Sequence, residues 1–141
     1  MQTTTLAHTN YDDAGKLVLR AALAIIILFH GYAKLTGGIG FIADMLAKAG
    51  LPAALGYLVY VGEVLAPLMI LFGIFTRPAA LVVAINMIVA VLLVHGAEFF
   101  TINKTGGWAL ELQGMFFFTA VAVALLGAGR YSLGGASARF N

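Results

Sequence analysis

Four long apolar segments, separated by short polar or glycine-bearing stretches, set the pattern of this chain. The first runs over about residues 17–35, with Leu23 to Phe29 uninterrupted between Arg20 and Lys34. The second covers about 53–75, where thirteen residues without charge follow Glu63. The third, 78–98, includes twenty consecutive residues lacking Asp, Glu, Lys or Arg. The fourth, about 108–128, includes eighteen such residues between Glu111 and Arg130. A helix needs about 20 apolar residues to cross a bilayer. The third and fourth segments meet that length directly; the first two do so only with Arg20 and Glu63 inside the span. The pattern therefore predicts an all-α integral membrane protein, a four-helix bundle over residues 17–133, with polar tails at 1–16 and 134–141.

The connections fit this reading. Thr76-Arg77-Pro78 is a tight link in which Thr76 can cap and Pro78 suits a first helical turn. So short a link makes the second and third helices antiparallel neighbours. Residues 39–49 predict a short amphipathic helix in the first outer loop, with Phe41, Ile42, Met45, Leu46 and Ala49 on one face and Asp44 paired to Lys48 on the other. Gly50 and Pro52 end it, and it is expected to lie at the membrane surface.

Composition agrees with the pattern. Of 141 residues, 62% are hydrophobic and 10% charged, against roughly 25% charged in a soluble domain. The mean hydropathy is +0.99. There are no cysteines, so disulfides, thiolate nucleophiles and cysteine-ligated metal centres are excluded. With a net charge of +2 and no basic run, nucleic acid is not an expected partner. Met1 to Ala14 carry Asp12 and Asp13 and lack the basic start of a signal peptide; they are expected to be a partly disordered cytoplasmic tail. Four spans put Lys16, Arg20, Arg77, Arg130 and Arg139 on one side, against Lys34, Lys48 and Lys104 on the other. The positive-inside rule then places both termini in the cytoplasm.

Titratable groups gather at the opposite, outer end: His30 and Lys34 on the first helix, Glu63 on the second, His95 and Glu98 on the third, Glu111 on the fourth. Ionisable groups within a span require a partner or a function. Arg20, Ile27, His30 and Lys34 fall on one stripe of about 80°, which should face the bundle interior. Asn86 lies about 180° from His95 on a regular helix, so the two are not expected to face the same cavity centre. Plainer readings stand beside these. Arg20 can snorkel to headgroups, Arg77 and Arg130 can bind lipid phosphate, and His30 can bond a carbonyl. Trp108, Tyr57 and Tyr60 can be interfacial anchors. Glu63 and Glu111 are harder to explain without a Glu–His or Glu–Lys pair. A repeat is also hinted at: Leu28-Phe29-His30-Gly31 and Leu93-Val94-His95-Gly96 each precede a helix with an early glutamate and a late Gly-then-Arg.

A metal is disfavoured because no Glu-x-x-His pair is present, and a bis-histidine haem through His30 and His95 is disfavoured as well. A quinone suits the residues better: it needs hydrogen bonds to two carbonyls, an apolar sleeve and a titratable path. His30 is expected to bond a carbonyl, Lys34 to stabilise the reduced anion and Glu63 to carry the proton, with His95, Glu111, Asn86, Tyr60 and Trp108 as further ligand contacts.

Taken together, His30-Gly31-Tyr32-Ala33-Lys34-Leu35, Gly62-Glu63, Gly73-Ile74-Phe75-Thr76-Arg77, Gly106-Gly107-Trp108-Ala109-Leu110-Glu111 and Gly127-Ala128-Gly129-Arg130-Tyr131-Ser132 resemble the DoxX family, in order, over about residues 17–133. Ala128, where members often carry Pro, and Gly134, where they often carry an acid, depart from its pattern. The resemblance implies four transmembrane helices in the bacterial inner membrane. It also implies a link to quinone-dependent oxidation of sulfur compounds or to thiol-redox partners, although most members have no assigned reaction. Lacking cysteine, this chain cannot exchange thiols itself. Three functions remain open: a quinone-linked redox or accessory subunit, with lipid and a redox protein as partners; a non-enzymatic assembly module; and a small-molecule transporter working as a homo-oligomer.

Overall fold

The computed structural model describes residues 3–141, with side chains from residue 10 onward. Its described residues are helical with no strand, apart from an isolated bridge between Ile102 and Trp108. Helix α1 spans Thr3–Gly37 and α2 Gly40–Lys48. The next helical run is composite: a 3₁₀ turn at Ala53–Leu58, a π turn at Val61–Leu65, then α3 at Ala66–Phe72. Helix α4, Thr76–Ala90, continues through a π turn at Val91–His95 and a 3₁₀ turn at Gly96–Glu98. Helix α5 is Glu111–Leu126.

Asn10–Gly37, Ala53–Phe72 and Thr76–Glu98 are long and apolar enough to cross a membrane, and Glu111–Leu126 is a shorter apolar helix. The segment expected as a partly disordered tail is instead helical from Thr3. A partner in the chain explains part of this. Arg130 reaches back to α1, its Nη2 donating to Asn10 Oδ1 at 2.6 Å and its Nε to Asp13 Oδ2 at 3.3 Å. Arg130 therefore holds protein, rather than standing free for lipid phosphate.

The core is built from small residues between larger ones. Ala24, Ala66, Ala80, Ala84 and Ala120 are buried with Leu23, Ile27, Ile70, Val83 and Val123. Without a hydrophobic drive in lipid, helices associate by close packing, which small residues permit. Ile25, Ile26, Phe29, Leu81, Ile85, Phe118 and Leu125 point outward instead. Within Phe116-Phe117-Phe118, Phe116 is buried and Phe118 exposed.

One end of the molecule is closed by arginine. Arg20 does not snorkel; it is 1% exposed and donates to the carbonyls of Ile70 (2.9 Å), Leu71 (2.5 Å), Ala128 (3.2 Å) and Tyr131. The last turn of α3 leaves carbonyls without intrahelical partners at the negative end of its dipole, and a guanidinium answers both needs. Arg77 repeats the device on α5, donating to Ala124 and Leu125 carbonyls at 2.8 Å each. It too is committed inside the protein. Gly73 (φ +69°) and Gly127 (φ +77°) turn the chain out of α3 and α5, and a Cβ on either would press on the arginine serving that end. Thr76 does not cap with its own side chain; Asn141 Oδ1 accepts from its N–H at 3.3 Å and its hydroxyl at 2.7 Å.

Candidate functional site

At the end opposite the arginines, α1, α4, α5 and both π turns surround a cavity of about 150 Å³ lined by Ile27, His30, Lys34, Glu63, Met87, Ala90, His95, Leu112, Gln113 and Phe116. Of the residues singled out in the sequence, His30, Lys34, Glu63 and His95 meet here. Ile27, His30 and Lys34 project from successive turns of α1, as the stripe predicts. Glu63 and His95 each sit in a π turn. Such turns occur mostly as single-turn bulges, often at functional sites.

Glu63 is 7% exposed and has both oxygens engaged. Lys34 Nζ lies 2.5 Å from Oε2, and Asn86 Nδ2 donates to Oε1 at 3.4 Å. A buried carboxylate is tolerable only when paired and hydrogen-bonded. Two glycines make the pairing geometrically feasible. A Cβ on Gly31 would collide with the Glu63 carbonyl and with Val64, and one on Gly62 with the Asn86 side chain. The two glycines let α1 and α4 approach the Glu63 backbone closely enough for their polar side chains to reach its carboxylate. Tyr60 does not line the cavity; its hydroxyl donates to the Lys34 carbonyl at 3.1 Å and steadies the last turn of α1.

His30 bonds no carbonyl. Among the described residues it has no hydrogen-bond partner, and its ring stands edge-on to Phe116, centroids 5.8 Å apart. His95 Nδ1 is 3.0 Å from Glu98 Oε2. His95 and Asn86 were expected to lie half a turn apart. The π turn between them adds one residue to a helical turn, which moves His95 by about 100° relative to a regular helix. His95 thus reaches the cavity wall while Asn86 supports Glu63 from behind.

Besides Tyr60 and Asn86, two more expected residues stand outside the cavity. Glu111 does not join the cluster; its Oε1 accepts from Asn103 Nδ2 at 3.2 Å in the loop before α5. As the first residue of α5 it faces that loop and the positive end of the helix. Leu112, Gln113 and Phe116 form the α5 wall instead. Trp108 also belongs to the loop: Nε1 donates to the Phe99 carbonyl at 2.7 Å and its ring lies against Gly114. Gln113 and Met87 were not anticipated. As the single side-chain amide in a mostly apolar helix, Gln113 carried a signal that attention to charge alone overlooks. Among the described residues no group of three or more His, Asp or Glu side chains is placed to hold a metal ion.

The cavity is bounded by an ion pair, two histidines, an amide and an apolar wall. It can accept a ring-sized group, offer it several hydrogen bonds and exchange protons with it. A cavity of 150 Å³ is about the size that admits benzene.

No solved structure matches the chain. Among curated proteins it is 28% identical over 115 residues to "Putative oxidoreductase CatD" of Bacillus subtilis, covering 82% of this chain and 81% of that one. It is 31% identical over 112 residues to an uncharacterized protein of Haemophilus influenzae, covering 71% and 76%. The DoxX family pattern matches residues 15–96, more than half of the chain, including α1 from Gly15 onward, Gly62-Glu63 and Gly73 to Arg77. With its apolar helices and this match, the chain is a membrane protein belonging to the DoxX family.

Proposed function

We propose that this protein binds the headgroup of a quinone in the cavity and serves a membrane oxidoreductase, as a catalytic or accessory subunit. The observation that carries the reading is the convergence of His30, the Lys34–Glu63 pair, His95 and Gln113 on one ring-sized space. The name of the Bacillus relative, which includes "oxidoreductase", agrees with it. The donor set fits the group: a quinone head presents two carbonyl acceptors on a flat apolar ring. When bound, it would supply two-electron chemistry coupled to protons. His30, with both ring nitrogens unengaged, hydrogen-bonds one ring oxygen. Lys34 places its ammonium near the other, where negative charge would develop. Glu63 holds a proton-accepting carboxylate against that ammonium, and Phe116 and Ile27 exclude water.

In the same reading the protein sits in a bacterial inner membrane with the arginine end cytoplasmic and the cavity in the outer half. Helix α5 is the fourth span. Its 16 residues make about 24 Å, short of a core of about 30 Å, so the residues flanking it complete the crossing outside the regular helix.

Native mass spectrometry of the protein in nanodiscs tests this directly. Wild type should retain a quinone, and Lys34→Met should bind it roughly tenfold more weakly, about 1.4 kcal/mol. A second reading draws on Asn86, which makes the Glu63 cluster a three-helix tie. If the cluster only holds helices together, Glu63→Gln lowers stability and leaves quinone binding and any redox rate unchanged.

A further inference from the structure

His95 is not isolated in the cavity wall. Its Nδ1 is held by Glu98, one helical turn farther toward the end of the molecule. The polar groups form a gradient of exposure: the side chain of Glu63 is 9% exposed, Lys34 26%, His95 30% and Glu98 52%. The turn changes from π to 3₁₀ between His95 and Glu98. That tightening places the carboxylate beside the ring rather than along the helix. With Nδ1 engaged, Nε2 is the ring nitrogen left for the cavity, which His95 lines. The groups facing it there are His30 and Lys34 from α1, Glu63 from the second helical run and Gln113 from α5.

We infer that His95 and Glu98 form the proton passage between the cavity and the outer aqueous layer, with Glu98 both orienting the ring and receiving its proton. This rests on the reading of the cavity as a quinone site. The step balances as one proton in and one out. A proton leaving the cavity bonds to Nε2 and gives an imidazolium whose charge the Glu98 carboxylate offsets. The Nδ1 proton then passes to Glu98 Oε2 and on to water. The ring is left neutral with its proton on Nε2; exchange with water, in which Nε2 loses one proton as Nδ1 gains another, restores the starting tautomer with no net change in protons. Uptake runs the same steps backward. A carboxylate on Nδ1 fixes the tautomer and leaves Nε2 as the acceptor that faces the cavity.

The test uses full-length protein in nanodiscs with a short-chain benzoquinone as the probe. Proton uptake from a weakly buffered medium, carrying a pH indicator, is followed after rapid chemical reduction of the bound quinone. Glu98→Gln should bind the probe within about twofold of wild type but take up protons about tenfold more slowly, and Glu98→Asp should recover most of the rate. Nitrogen NMR of the histidine rings should show the Nδ1–H tautomer of His95 in wild type and its loss in Glu98→Gln. Equal uptake rates in wild type and Glu98→Gln, or a tautomer indifferent to Glu98, overturn the inference while quinone binding stands. Failure of wild type to bind the probe overturns the functional reading itself and the passage with it.

Discussion

Arg20 shows how one side chain can close the end of a bundle. Its guanidinium satisfies carbonyls from α3 and from the chain leaving α5, and it does so while almost fully buried. Hydrogen bonds to charged groups are worth about 1.5–3 kcal/mol each and are not additive. Arg20→Leu strands the α3 carbonyls in an apolar setting and should cost on the order of 3 kcal/mol, read as a lowered midpoint of unfolding in detergent. Arg20→Lys should recover little, because an ammonium lacks the planar fork that reaches four carbonyls. An unfolding midpoint unchanged in Arg20→Leu would show that these hydrogen bonds do not hold this end of the bundle together. The apolar pattern placed Arg20 inside a helix, but its partners were illegible. They are backbone carbonyls up to 111 positions away, and carbonyls leave no mark on a sequence. Glu63 was legible for the opposite reason: a carboxylate in an apolar run needs a partner, and the cation on the stripe of α1 could supply it.

At the scale of elements, length was easier to foresee than phase. The second and third runs were expected over 53–75 and 78–98, close to the observed Ala53–Phe72 and Thr76–Glu98. The π turns were not foreseen. A helix apolar on every side gives no periodicity by which an inserted residue could be detected. That insertion changes the angle between His95 and Asn86, and of the two only His95 lines the cavity. Close approach of elements makes its own prediction. Gly31→Ala should push α1 away from the Glu63 backbone, costing about 1–3 kcal/mol and weakening the Lys34–Glu63 pair and quinone binding together. Gly37→Ala, on the same helix with nothing within 4 Å of the added carbon, should leave both unchanged. Equal behaviour of the two variants, by thermal unfolding and quinone titration, would show that the approach at Gly31 is not what positions the pair.

Across the whole molecule, two ends do different work. One is closed by Arg20, Arg77 and Arg130, each bound to protein. The other holds the open polar cavity. Charge counts alone suggested the first end was basic, but they said nothing of where those charges were spent. The four-span reading predicts that both termini lie on one side. Because the chain has no cysteine, single-cysteine variants report this cleanly. Cysteine at Thr3 and at Ser137 should be labelled from the cytoplasmic face only, and cysteine at Thr105 from the outer face only. Opposite labelling of the two termini would mean that α5 does not cross.

The central claim is that the cavity, and not the lipid-facing surface, receives a quinone head. Photolabelling with an azido-quinone in nanodiscs, followed by peptide mapping, tests it most directly. The label should fall on residues 27–34, 87–95 and 112–116, be displaced by unlabelled quinone and be lost in Lys34→Met. Labelling that cannot be displaced and lies along Ile25, Leu81, Ile85 and Phe118, with the cavity residues untouched, would contradict it.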